Sequence, residues 1–268
     1  KGDIISRVLK GTFLKSFDRC QGKNLPPGAD PLPCRRMDWA ANLESVQERI
    51  RTACDRAGRA VDSVALLAVA KTHSADAVQA LAACGVRLSG ENKVQEAKAK
   101  IPLCSSRLRW HLIGHLQTNK VRDAVALFEM IQSVDSLRLA QEINQRGEQA
   151  AKQMPILLEV NLAGEASKFG YAPDQLRAEL RELNALPRLE IHGLMTVPPW
   201  SPVPERVRPY FRQLRELRQQ CEDQLGAPLP ELSMGMTGDF EVAIEEGATL
   251  VRIGTALFGQ RTSRPASA

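Results

Sequence analysis

Eight short apolar runs, near residues 64–70, 86–90, 109–114, 128–134, 155–160, 189–197, 231–235 and 249–253, are separated by segments of helical periodicity. The clearest amphipathic stretches cover residues 74–84, 136–152, 173–186 and 205–225, and each begins near Ser, Asp or Pro, as a capped first turn does. Such alternation is the pattern of parallel βα units. Eight units suit closure into a barrel, an architecture that takes roughly 250 residues, and the chain has 268. An open doubly wound sheet would alternate in the same way, but no Gly-rich dinucleotide turn follows the first run. The expected fold is therefore α/β, a single-domain (β/α)8 TIM barrel.

The barrel should occupy residues 37–262. Residues 1–36 contain the stretch Asn24-Leu25-Pro26-Pro27-Gly28-Ala29-Asp30-Pro31-Leu32-Pro33, which cannot continue a helix or a sheet, so a flexible N-terminal extension is expected there. A helical pattern through Leu43, Val46 and Ile50 opens at Met37 and runs to about Gly58. Residues 263–268 are expected to form a disordered tail.

Charge and cysteine usage exclude several classes of function. The net charge is +5, yet residues 1–36 carry eight Lys/Arg against three Asp, and the remainder carries 28 of each sign. The basic balance thus describes a tail, and no nucleic-acid-binding face is implied for the body. Cysteines at 20, 34, 54, 84, 104 and 221 form no CxxC pair and have no histidine at metal-ligand spacing, which favours reduced thiols over a zinc site or a disulfide framework. No apolar stretch approaches the roughly 18 residues of a membrane span, and Asp3, Arg7, Lys10 and Lys15 interrupt the start where a signal peptide would be apolar. A cytoplasmic location is expected.

Functional groups in a barrel collect where strands end, so the polar residue that closes each run is informative. Those ends give Lys71, Glu91-Asn92, His111 with Gln117, Ser133 and Asp135, Asn161, Met195-Thr196, Ser233 with Gly235, and Arg252 with Gly254-Thr255. Lys71 closes the run Ala65-Leu66-Leu67-Ala68-Val69-Ala70. An amine partly withdrawn from water, with another cation nearby, loses its proton more readily and can form a Schiff base. Gly254-Thr255 follows the eighth run, where backbone N–H groups at a helix start and a hydroxyl could take a phosphate dianion. Ser233 and Gly235 could complete that cradle, with Asp239 as the cap of the next helix. Arg252 requires a partner if it faces inward, and a carboxylate would be the ordinary one. Together these groups are what a barrel needs to hold pyridoxal 5′-phosphate. A cofactor-free Schiff-base aldolase acting on a sugar phosphate would use a similar set. His111, inside an apolar run, reads more readily as a hydrogen-bonded core histidine than as a catalytic one.

Six blocks in one order, Ala68-Val69-Ala70-Lys71-Thr72, Gly90-Glu91-Asn92 with Val94-Gln95-Glu96, Trp110-His111-Leu112-Ile113-Gly114-His115-Leu116-Gln117-Thr118-Asn119-Lys120, His192-Gly193-Leu194-Met195-Thr196, Leu232-Ser233-Met234-Gly235-Met236-Thr237 and Val251-Arg252-Ile253-Gly254-Thr255-Ala256-Leu257-Phe258-Gly259, resemble the YggS/PROSC family of pyridoxal phosphate homeostasis proteins. The resemblance runs from about Met37 to Arg261. That family is similar to the barrel domain of alanine racemase, the type III fold of pyridoxal phosphate proteins. The resemblance implies a cofactor Schiff base on Lys71, Arg252 beside the pyridine nitrogen, and phosphate contacts from Ser233, Gly254 and Thr255. It also implies that Asn92 and His111 line the ring pocket. The chain departs from the family pattern at Ser89 and Lys93, which flank Gly90-Glu91-Asn92, and at Leu112, where a bulkier residue is usual.

Racemisation through a pyridoxal imine needs acid–base groups on both faces of a planar intermediate, and Lys71 serves only one. The two tyrosines, Tyr171 and Tyr210, fall in or near helical patterns, and no second domain supplying an opposite base is expected after the eighth unit. An arginine at the pyridine nitrogen disfavours its protonation and weakens the ring as an electron sink. The expectation is a non-catalytic binding protein that keeps or delivers the aldehyde, with pyridoxal-phosphate-dependent apoenzymes as partners and a monomeric state. A racemase or lyase is the competing reading.

Overall fold

Parallel pairing joins every apolar run to the next and the last to the first, closing an eight-stranded barrel in the order β1 to β8. The structure, a computed structural model, describes residues 38–165 and 167–259. The strands are β1 Ala65–Val69, β2 Leu88–Glu91, β3 Arg109–Leu112, β4 Met130–Val134, β5 Met154–Glu159, β6 Leu189–Met195, β7 Glu231–Met236 and β8 Leu250–Ile253. Helix α1, Trp39–Arg56, precedes β1. Helices α2 Ala75–Ala83, α3 Val94–Lys100, α4 Val121–Leu127, α5 Leu137–Gln149, α6 Pro173–Asn184, α7 Arg208–Leu225 and α8 Phe240–Glu245 connect successive strands, and α9, Thr255–Phe258, follows β8. The (β/α)8 barrel expected from the sequence is thus the observed fold. The extension at 1–36 and the tail at 263–268 lie outside the described residues.

Capping follows the residues named in the sequence. Asp38 accepts from Ala41 N at 3.0 Å to start α1, Ser74 accepts from Ala77 N to start α2, and Ser136 accepts from Leu139 N to start α5. Asp239 departs from expectation. It stands before α8, but its carboxylate accepts from Met236 N at 2.6 Å, behind the helix, and makes no cap bond into it.

Alternation along each strand separates two apolar regions. Trp110, Leu112, Ile131, Ile156, Leu158, Leu194, Leu232, Met234, Val251 and Ile253 pack outward against the helices in one large core. Leu67, Val69, Leu88 and Leu250, with Ile113, fill one part of the interior, and Met130, Leu157 and Met195 fill another. His111, Gln132, Glu159, Ser233 and Arg252 share the parity of these interior residues, so the barrel's own periodicity turns them inward. At the rim, the first turn of α1 covers α9: Trp39 meets Phe258 edge-on at 6.1 Å, and Asn42 Nδ2 donates to Leu257 O at 2.9 Å. No helix among the described residues is long and apolar enough to cross a membrane. Cys54, Cys84, Cys104 and Cys221 are free thiols.

Candidate functional site at the barrel mouth

Strand β1 lies between β2 and β8, with Leu67 opposite Arg252 and Ala68 opposite Ile253. One step further along, Gly254 comes beside Val69: a methyl group added to Gly254 would meet Val69 Cβ at 3.6 Å. Lys71 follows two residues after Val69, so the lysine and the Gly254-Thr255 turn occupy the same end of neighbouring strands. His73 stacks on Phe258 at 4.3 Å between centroids, which fastens the loop carrying Lys71 to α9. Ala256 N, in the first turn of α9, donates to Thr237 Oγ1 at 3.4 Å. Thr237 therefore brings a hydroxyl from the loop after β7 to the Gly254-Thr255 turn.

Below the rim, Arg252 is 4% exposed and, among the described residues, makes no carboxylate contact of hydrogen-bond length. It donates from Nη1 to Ser233 Oγ at 2.6 Å and from Nη2 to Thr196 O at 2.7 Å. Burial pulls its pKa down to about 10, while Glu159 and Asp239 act in the opposite direction from a distance. The guanidinium still carries its charge at neutral pH.

Ser233 passes the interaction onward. Its hydroxyl donates to Gln132 Oε1 at 2.6 Å, and Gln132 Nε2 lies 2.8 Å from His111 Nδ1. This chain crosses the barrel from β8 and β7 to β4 and β3. Burial, with a smaller contribution from Arg109, lowers the His111 pKa to about 3, so its imidazole is neutral. Glu159 shares the interior, and burial together with the charge of Asp135 raises its carboxyl to about 7 against the pull of Arg252.

Asn92, at the mouth end of β2, packs on Gly114, where any side chain would run into the Asn92 backbone, with its Cα at 2.8 Å from the added carbon. Asn92 Oδ1 is buried and has no hydrogen-bond partner among the described residues. A buried acceptor without a donor suits a ligand that brings one.

The structure divides the residues singled out in the sequence. Lys71, Asn92, Arg252, Gly254 and Thr255 gather on the mouth side of β1, β2 and β8. Ser233 hydrogen-bonds with Arg252 and Gln132, its hydroxyl accepting from the guanidinium and donating to the amide. Gly235 has φ 91°, and a Cβ there would stand 2.6 Å from Ala243 Cβ and 2.9 Å from Phe240 Cα. It permits close seating of α8 under β7. Gln132, Glu159 and Thr237 were not singled out as site residues. Gln132 and Glu159 lie within apolar runs whose direction cannot be read from composition, whereas Thr237 stood next to a motif already marked. Among the described residues no group of three His, Cys, Asp or Glu is arranged to hold a metal ion.

The profile of the family described as alanine racemase, N-terminal domain, matches residues 41–262. The pyridoxal phosphate homeostasis protein of Aquifex aeolicus is 46% identical over 226 residues, covering 84% of this chain and 99% of the relative. Its counterpart in Pseudomonas aeruginosa is 44% identical over 225 residues, with 83% and 95% covered. The chain belongs to the pyridoxal phosphate homeostasis protein family. Among solved structures, PipY of Synechococcus elongatus with pyridoxal phosphate bound is 38% identical with a TM-score of 0.74, covering 82% of this chain and all of that one. Alanine racemase of Clostridium difficile has a TM-score of 0.64 at 16% identity, with 83% of this chain and 58% of that one covered, a likeness of fold alone.

For this member of the pyridoxal phosphate homeostasis protein family, the departures noted in the sequence fall around β2 and β3. Ser89 is buried and donates its hydroxyl to Ala68 O at 3.2 Å, Lys93 is exposed and pairs with Glu96 at 3.3 Å, and Leu112 belongs to the outer core. None of the three occupies the barrel interior.

Proposed function

We propose that this chain binds pyridoxal 5′-phosphate at the barrel mouth, formed within residues 37–262, and serves intracellular pyridoxal phosphate homeostasis by holding the cofactor as a Schiff base on Lys71 without turnover. The observation that carries the reading is the adjacency of β1 and β8, which sets Lys71 and the Gly254-Thr255 turn at one end of paired strands with buried Arg252 just below. The cofactor supplies an aldehyde that a lysine amine can take up and a dianion that anchors it. The residues present fit that group: Lys71 offers the amine, Gly254, Thr255 and Thr237 offer amides and hydroxyls for the dianion, and Arg252 offers a fixed cation to the ring nitrogen. Asn92 offers an acceptor to a ring hydroxyl, and His111 lies at the side of the same interior. Ser233 holds Arg252 in place, and Gly235 shapes the loop that carries Thr237.

Support for a binding role over catalysis comes from Arg252. A guanidinium that stays charged and is tethered to Ser233 and Thr196 keeps a neighbouring ring nitrogen unprotonated, which weakens electron withdrawal. The proposal extends to a monomeric protein acting in the cytoplasm, with pyridoxal-phosphate-dependent apoenzymes as recipients. Purified protein given pyridoxal phosphate is expected to gain an absorption band near the visible edge that borohydride fixes to the peptide containing Lys71. Lys71→Ala should abolish both signals. An unmodified Lys71 peptide in the parent protein would refute the reading, and turnover of an amino acid well above the free cofactor would replace it with a racemase or lyase.

A further inference from the structure

We propose that Glu96 and Lys100 of α3 form a clamp on the two peptide groups that flank Lys71, and so set where its amine stands. The two residues are four apart, hence on one face of the helix. Lys100 Nζ donates to Ala70 O, the carbonyl of the peptide entering Lys71, at 2.7 Å. Glu96 Oε2 accepts from Thr72 N, the amide of the peptide leaving it, at 3.4 Å. Lys71 has one anchored peptide on either side.

Neither anchor is explained by helix formation alone. Lys100 is 8% exposed and Glu91 is fully buried, and the two form an ion pair beneath the β1–α2 loop. Withdrawing two charges from water is costly, and an aliphatic pair would fill the same space without that penalty. What the ammonium adds is a charge-assisted hydrogen bond to one particular carbonyl. Thr72 has φ 67°, a left-handed conformation that a β-branched residue avoids unless its surroundings impose it. Here the imposing contacts are the Glu96 carboxylate at its amide, the turn bond from His73 N to Ala70 O at 3.1 Å, and the stacking of His73 on Phe258. Glu96 is itself oriented by Lys93 through its other oxygen at 3.3 Å. The strained conformation falls on the residue after Lys71, where it decides the direction in which the chain, and with it the lysine, leaves the strand.

The importance of this clamp rests on Lys71 being the attachment point proposed above, and the test keeps the two apart. Glu96→Ala, Glu96→Gln and Lys100→Met are compared with the parent chain by amide hydrogen exchange at Thr72 without cofactor. The same proteins are compared by the rate of borohydride-fixed capture of pyridoxal phosphate at Lys71, and by affinity for a 4-deoxy analogue that has the phosphate but no aldehyde. Glu96→Ala is expected to speed Thr72 exchange and slow capture by about tenfold or more each, with analogue affinity held within about twofold, because reactivity depends on placement and anchoring does not. Glu96→Gln keeps an acceptor oxygen and should restore both rates. Glu96 is only partly buried, so Glu96→Ala decides the matter even if Lys100→Met fails to fold. Parental exchange and capture rates in Glu96→Ala would overturn the clamp, as would equal losses of capture and analogue affinity. If the parent chain captures no aldehyde at Lys71, the functional reading fails, and Thr72 exchange still decides whether the anchors exist.

Discussion

Arg252 and Ser233 meet inside the barrel with Nη1 2.6 Å from Oγ, and this contact fixes the direction of every hydrogen bond beyond it. A guanidinium can only donate, so Ser233 accepts there and turns its own hydrogen toward Gln132 Oε1. The amide group of Gln132 is then left to donate to His111 Nδ1, which places the single ring proton of neutral His111 on Nε2. Nitrogen-15 NMR of the histidine ring at pH 7 is expected to report the Nε2–H tautomer. Ser233→Ala removes one of the two acceptors of the buried cation and releases Gln132, and should cost about 2–3 kcal/mol in denaturant unfolding, the usual cost of losing a bond to a charged group. A loss within experimental error of zero would mean that Arg252 finds another acceptor.

His111 makes the fold sensitive to acid. In the unfolded chain the imidazole takes up a proton below its ordinary 6.5, whereas in the folded barrel it resists until about 3. Its contribution is therefore complete above 6.5 and is lost as pH falls toward 3, by up to about 1.4 kcal/mol per pH unit. Unfolding free energies measured between pH 7 and pH 4.5 should fall more steeply in the parent chain than in His111→Gln, and equal slopes would contradict a buried neutral imidazole.

Glu159 has the opposite sign. Its carboxyl ionises near 4.5 in the unfolded chain and only near 7 in the folded one, because burial and then Asp135 disfavour the charge. Stability from this group is complete below 4.5 and is lost as pH rises through 7. Glu159→Gln is expected to gain on the order of 1–3 kcal/mol over the parent at pH 8, and to gain nothing at pH 4. The upper end of that gain is reduced by the favourable field that Glu159 supplies to Arg252. A destabilised variant at pH 8 would show that this field outweighs desolvation.

The barrel is legible because eight apolar runs and their helical separators have distinct periods, and each run coincides with one strand to within about two residues at either end. Orientation within a run is not. Strands buried on both sides are apolar throughout, so nothing in Met130-Ile131-Gln132-Ser133-Val134 marks Gln132 as the interior residue until Met130 and Ile131 are assigned to opposite faces by closure. Lys71, Arg252 and Gly254 could be marked because each breaks the pattern at a strand end. Ser233 is legible as the polar end of an apolar run, but its hydrogen bond to Gln132 is not, since Gln132 lies 101 residues away and its amide has no local signal. Nothing in the local sequence separates buried Lys100 from exposed Lys98 two residues earlier. Its burial depends on Glu91 at the end of β2, a contact set by how α3 folds back on its own strand.

Thr237 carries the last expectation. Its hydroxyl accepts from Ala256 N at 3.4 Å, a long bond for a first-turn amide that has no partner within its own helix. A dianion placed between Thr237 and the Gly254-Thr255 turn would draw stronger, charge-assisted bonds from both sides. Thr237→Val keeps the shape and removes the hydroxyl. Since a hydrogen bond to a charged group contributes about 1.5–3 kcal/mol, the variant should bind pyridoxal phosphate about tenfold to a hundredfold more weakly by equilibrium dialysis. Binding of pyridoxal, which has the aldehyde but no phosphate, should be nearly unchanged. If both ligands weaken equally, Thr237 acts on the shape of the mouth and the dianion is held elsewhere.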